Sequence, residues 1–233
     1  MTIPSREDSL SYLRQTIELA KNSPPKPTNF RVGCVIVAFN PAEPPQALST
    51  GYTLELPGNT HAEQCALSKL AEKHSVSEDK VGSLFTSPKQ VVLYTSLEPC
   101  GKRLSGNLPC VRRIIATRKQ NPEGGIRRVV FGAKEPGTFV EDSQSCKLLT
   151  DAGIDWDYLR DFESEILSVE MEGHTKQPDT SAEPATPQQQ SENTASSSDR
   201  NKQEQSNAAA EAAPRNPKKR MMEAPPDSEA SRS

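Results

Sequence analysis

Val91-Val92-Leu93-Tyr94-Thr95-Ser96-Leu97-Glu98-Pro99-Cys100, followed through Leu108-Pro109-Cys110 to Arg128-Val129-Val130-Phe131, sets the architecture of this chain. Val91 to Tyr94 is an unbroken apolar run of strand length, and a run without polar alternation belongs to a strand covered on both faces. Residues from about Cys110 to Arg118 read as a helix, and Arg128 to Phe131 as a second buried strand. A strand that returns to another strand through a helix is the right-handed crossover of a parallel sheet.

The elements on either side extend this unit. Glu7 to Lys21 has apolar residues at Leu10, Leu13, Ile17 and Ala20, a helical repeat that stops before Ser23-Pro24-Pro25. Val32 to Phe39 is a nearly continuous apolar run, followed by a Pro-rich turn and by Leu48 to Leu56, so the two strands form a hairpin. Asn59 or Thr60 can cap a helix that continues through Ala62, Ala66, Leu67, Leu70 and Ala71. Toward the C-terminus come a helix over Ser143 to Ala152, a short strand at Asp155 to Leu159 and an amphipathic helix from Phe162 to Met171 on the outside. The order predicts an α/β fold, a three-layer α-β-α sandwich on a five-stranded mixed sheet.

Composition sets the extent of that domain. Of the 233 residues, 33% are apolar and 5% aromatic, and a mean hydropathy of -0.70 is too polar for a chain folded throughout. The change falls near His174. From Thr175 to Ser233 the chain is rich in Ser, Gln, Asn, Pro, Ala and Glu and has no aromatic residue, so it cannot bury enough apolar surface to offset the entropy of ordering. The expectation is one domain over residues 1–174 and a disordered polar tail over 175–233. Within the tail, Arg215 and Pro217-Lys218-Lys219-Arg220 read either as a nuclear import signal or as solvated charge.

A net charge of -3 gives no global attraction to nucleic acid or to an anionic membrane, and points to a small or neutral substrate. The start, MTIPSREDSL, lacks the apolar stretch of a secretory signal, and no run reaches membrane-spanning length. Five widely spaced cysteines fit reduced thiols or metal ligands better than a disulfide framework. A soluble cytoplasmic protein is expected, with the nucleus open to it if the basic run works.

Two segments carry chemistry. Asn59-Thr60-His61-Ala62-Glu63-Gln64-Cys65 opens the second helix, and Thr95-Ser96-Leu97-Glu98-Pro99-Cys100 leaves the third strand, with Cys110 opening the next helix. His-x-Glu followed by Pro-Cys and a further Cys is the signature of zinc deaminases. One imidazole and two thiolates leave the fourth position of a zinc ion open, as hydrolytic sites require, and such zinc lowers the pKa of its water to about 7. Glu63, two residues after His61, is placed to shuttle the proton without binding the metal. Singly, each residue has an ordinary reading: His61 as a cap, a cysteine as a small hydrophobe, Glu63 as a first-turn carboxylate. Together, in order and on matching elements, they point to one zinc per chain held by His61, Cys100 and Cys110. For Cys34, Cys65 and Cys146 core packing is expected, and His74 and His174 read as solvated.

With these residues the sequence resembles the riboflavin-pathway deaminases that act on a diaminopyrimidinone phosphate, above all the stand-alone fungal type of the cytidine deaminase-like superfamily. The resemblance runs through Arg31 to Val37, His61-Ala62-Glu63, Thr95 to Cys100, Pro109-Cys110, Gly125 to Gly132 and Leu148 to Ile154. The nine residues between Cys100 and Cys110 are far more than the Cys-x-x-Cys spacing of other nucleobase deaminases, and one more than is usual in bacterial members.

The resemblance implies a pyrimidine phosphate as substrate, with its 2-amino group removed hydrolytically. It makes Asn29 the candidate for binding the pyrimidine, where the alternative is a turn-forming Asn beside Pro27. Lys102 and Arg103 become candidate phosphate anchors, where the alternative is a solvent-facing basic pair. No reductase domain is expected after residue 174. Membrane and nucleic acid are not expected as partners, and relatives of this fold commonly form homo-oligomers. Two other functions stay open here: deamination of another nucleobase, nucleoside or tRNA base, and a catalytically silent zinc protein whose tail binds partners.

Overall fold

Hairpin and crossover join into a single sheet in a computed structural model, which describes residues 4–85, 90–119, 124–134 and 144–174. The elements are α1 (Arg6–Ala20), β1 (Gly33–Asn40), β2 (Glu43–Tyr52), α2 (Ala62–Lys73), β3 (Gln90–Leu97), α3 (Cys110–Ala116), β4 (Ile126–Ala133), α4 (Ser145–Asp151), β5 (Asp155–Tyr158) and α5 (Glu163–Glu170). The sheet order is β2-β1-β3-β4-β5. β1 pairs antiparallel with both β2 and β3, whereas β3, β4 and β5 run parallel. This is the expected mixed sheet of five strands. Residues 175–233, expected to be a disordered tail, lie outside the described residues, as does the basic run within them.

Alternation along the central strands divides the core between two faces. Cys34, Ile36, Leu93, Val129 and Phe131 meet Ala62, Ala66 and Leu70 of α2, Ile114 of α3 and Leu149 of α4. Val35, Val37, Val92, Tyr94 and Val130 meet Leu13 of α1 on the other side. α5 lies beside α1, joined to its neighbourhood by Arg6–Asp161 at 2.7 Å and Arg14–Glu165 at 2.6 Å. α1 starts on a capping box, in which Ser5 and Asp8 each accept from the other's backbone N–H. α2 approaches the sheet over Gly51, where a β-carbon would stand 2.2 Å from the Ala62 carbonyl oxygen. Only a residue without a side chain lets the helix lie that close.

Two expectations need correction, and one element is new. β2 begins at Glu43, within the stretch read as a Pro-rich turn, and ends at Tyr52 rather than Leu56. Pro44 and Pro45 are tolerated because β2 is an edge strand and both fall in the irregularity between the Ala38–Gln46 and Asn40–Glu43 pairs, where neither has a partner in the register. The cap of α2 is neither Asn59 nor Thr60 but His61, in extended conformation and with no capping bond from its side chain. Thr60 instead donates its hydroxyl to the Leu56 carbonyl at 2.9 Å. A 3-10 helix over Glu78–Leu84, absent from the sequence reading, connects α2 to β3. Among the described residues no helix is long and apolar enough to cross a membrane.

Candidate active site

Three element ends converge to form the floor of the site. β3 delivers Cys100 just past its C-terminal end, α3 begins at Cys110, and α2 begins immediately after His61. His61 Nδ1 lies 3.6 Å from Cys100 Sγ and 3.5 Å from Cys110 Sγ. Extended backbone at His61 frees its ring to point away from the helix it caps and toward the two sulfurs. The Cys110 N–H donates to Cys100 Sγ at 3.3 Å, and the Val111 N–H donates to the Cys100 carbonyl at 3.2 Å. The amino end of α3 is thus folded around the first cysteine. Glu63, in the first turn of α2, is 3% exposed.

The floor opens into a cavity of about 170 Å³, with Glu63, His61 and Cys100 in its lining. Its wall is built from loops. Asn29 donates its side-chain amide to Asn59 Oδ1 at 2.8 Å and accepts at Oδ1 from the Thr28 hydroxyl at 2.8 Å. Arg103 donates to Gln64 Oε1 at 3.0 Å and to the Asn59 carbonyl at 2.6 Å. Lys102 lines the same cavity with an exposed side chain.

Residues 6–133, more than half of the chain, match the family described as the cytidine and deoxycytidylate deaminase zinc-binding region. The chain belongs to this deaminase family. The diaminohydroxyphosphoribosylamino-pyrimidine deaminase of Schizosaccharomyces pombe is 32% identical to it over 163 residues, which are 70% of this chain and 35% of the relative. The chain thus spans about a third of that curated relative's length. A solved structure of Aspergillus oryzae Rib2 deaminase, a C-terminal deletion mutant at pH 4.6, is 52% identical, has a TM-score of 0.66, and covers 71% of this chain and 92% of its own. The same deaminase in complex with DARIPP is 51% identical, with a TM-score of 0.66 and coverage of 71% and 91%. The sheet and helices are those of the cytidine deaminase-like fold.

The donor set suits the metal of this zinc-binding family. His61, Cys100 and Cys110 offer one nitrogen and two sulfurs, all within 4.8 Å of one another, and these types and this number match an open zinc site. Charge at the floor is arranged accordingly. The Cys100 thiol is brought down to about 4, chiefly by its hydrogen bond with the Cys110 side chain and then by His61, against the upward pull of burial. Cys110 is pushed well above the ordinary thiol range by sharing that bond and by burial. Burial, then the neighbouring Cys100, raises the Glu63 carboxyl above its usual range. A carboxyl shifted upward beside a ligand cluster is suited to taking and returning a proton.

The structure brings all seven sequence-derived candidates to one place. Asn29, Glu63, His61, Cys100, Lys102 and Arg103 line the cavity, and Cys110 closes the cluster beneath it. Arg103 departs from the solvent-facing alternative, being 8% exposed. Cys34 and Cys65 are fully buried in the core, as expected. His74 is exposed. His174 was expected to be solvated, but it stacks on Phe30 at 5.0 Å and donates from Nε2 to the Asn29 carbonyl at 3.2 Å. That contact joins positions 145 residues apart in sequence, so no local pattern announces it.

Asn59 and Glu98 lie within the two motifs, and the structure adds both to the lining of the cavity. Asn59 is the hub of the wall, and Glu98, 7% exposed and cavity-lining, accepts from the Ser145 hydroxyl. The presence of each in a motif was the only signal, because their partners come from distant segments.

Proposed function

We propose that this chain is a zinc-dependent hydrolase that removes the 2-amino group of 2,5-diamino-6-(ribitylamino)-4(3H)-pyrimidinone 5'-phosphate, giving 5-amino-6-(ribitylamino)uracil 5'-phosphate and ammonia. The observation that carries the reading is the buried Glu63 carboxyl beside a three-donor cluster, at the bottom of a cavity lined by amide and basic side chains. The choice of substrate is supported by the 52% identity to Aspergillus oryzae Rib2 deaminase and by the complex of that deaminase with DARIPP. His61, Cys100 and Cys110 would hold one zinc per chain. When bound, zinc supplies Lewis-acid activation of a water molecule.

The chain's own residues supply the rest. Glu63 carries two protons in turn, the first from the attacking water to the ring nitrogen and the second from the hydroxyl so formed on the carbon to the departing amine, so that the C–N bond breaks and ammonia leaves neutral. Asn29, held by Thr28 and Asn59, presents a preset amide to the edge of the pyrimidine. Lys102, with its ammonium free to reach a ligand, anchors the phosphate. Five widely spaced cysteines, two of them in the zinc cluster, suit a reducing, cytoplasmic setting better than a disulfide framework.

Purified zinc-loaded protein incubated with the diaminopyrimidinone phosphate should release ammonia in step with the uracil product. Glu63→Ala should keep its zinc and lose turnover. An active-site-intact, zinc-loaded preparation that releases no ammonia from this compound would remove this substrate from consideration.

A further inference from the structure

The loop between the two cysteine ligands has one inward side chain. Of residues 101–109, Arg103 alone is buried, while Lys102 and residues 104–108 are exposed. Within these described residues the backbone makes one hydrogen bond to itself, from the Gly106 N–H to the Arg103 carbonyl at 3.3 Å, so the loop has little structure of its own to hold it. Its base is fixed at Cys100 and Cys110. Its middle is fixed by the Arg103 guanidinium, which reaches two other segments: Gln64 in the first turn of α2, adjacent to Glu63, and the Asn59 carbonyl two residues before His61.

From this arrangement we infer that Arg103 is a positioning residue, a brace that fixes the spacing between the cysteine-bearing loop and the helix turn carrying His61 and Glu63. The guanidinium suits the task because its planar fork offers donors in fixed directions to two acceptors at once, as a lysine ammonium on a flexible stem does not. The long spacer creates the need. A short Cys-x-x-Cys turn is rigid by itself, whereas nine intervening residues require a tether to keep both sulfurs in register with the imidazole. The catalytic readout rests on the deaminase reading above, and the metal readout does not.

The test compares Arg103→Ala, Arg103→Lys, Gln64→Ala and the double variant Arg103→Ala/Gln64→Ala in the full chain. Two readouts are taken: steady-state kinetics, and the rate at which zinc passes to a chromogenic chelator. For a brace, Arg103→Ala lowers kcat on the order of tenfold to a hundredfold with a smaller change in KM, since small displacements of reacting groups cost that much. Gln64→Ala gives a partial loss of the same kind, and the double variant falls little below Arg103→Ala, because both changes break one connection. Arg103→Lys rescues poorly, and zinc transfer to the chelator is several-fold faster without the guanidinium.

The inference is overturned if Arg103→Ala raises KM for the phosphorylated substrate, leaves kcat and zinc transfer unchanged, and is matched by no effect of Gln64→Ala. Arg103 is then a phosphate anchor. If wild-type protein fails to turn over the compound, the substrate reading fails while the zinc-transfer comparison still decides whether Arg103 braces the loop. A variant that unfolds is replaced by Arg103→Gln, which keeps a neutral hydrogen-bonding group at the position.

Discussion

The floor and the wall of the cavity are built in opposite ways. The floor residues His61, Glu63, Cys100 and Cys110 sit at element ends packed into the core, and of these only His61 is more than slightly exposed. The wall residues Asn29, Asn59, Lys102 and Arg103 sit on loops, and Asn29, Asn59 and Arg103 are held by side-chain hydrogen bonds between segments 30 to 44 residues apart. The floor is therefore set by packing, with Arg103 reaching across to it from the wall, whereas the other wall contacts are polar and can change without disturbing the core. Relatives that share a floor and differ in substrate would be expected to differ in the wall.

Four substitutions sharpen this contrast, taken from the largest effect down. Cys110→Ala removes one sulfur of the cluster and the thiol that lowers Cys100, so bound zinc and turnover should both disappear; zinc analysis beside an ammonia assay checks it. Glu63→Gln keeps shape and burial but cannot accept a proton, and kcat should fall by about 10²- to 10⁴-fold with zinc retained. Zinc loss in that variant would make the carboxyl a ligand.

The other two substitutions have smaller effects. Gly51→Ala forces α2 off the sheet and should destabilise the fold by about 1–3 kcal/mol in urea unfolding, with faster zinc loss because His61 and Glu63 ride on that helix. Asn29→Ala touches the wall alone and should raise KM on the order of tenfold at nearly constant stability. A stability loss in Asn29→Ala as large as that of Gly51→Ala would erase the distinction between wall and floor.

The same division governed what could be read from the sequence. Val91 to Tyr94 and Val129 to Phe131 announce buried strands because every one of their positions is covered. His61, Glu63, Cys100 and Cys110 were legible because their roles depend on local spacing at element ends. The start of β2 was not, since Pro44 and Pro45 have the same local signature in a turn and on a sheet edge, and only strand order separates the two. The cap of α2 was misread for a related reason. Asn59 and Thr60 have better capping chemistry than His61, but the position goes to the residue whose ring must reach two distant sulfurs. The wall was legible only through resemblance, and its hub at Asn59 and the stacking of His174 on Phe30 depend on contacts that no periodicity encodes.

The most direct test of the site is zinc K-edge X-ray absorption on the purified, zinc-loaded protein. The account predicts two sulfurs and one imidazole nitrogen per zinc, a fourth light scatterer, and an unchanged sulfur count in Glu63→Ala. A shell of four protein ligands, or one with fewer than two sulfurs, would contradict it.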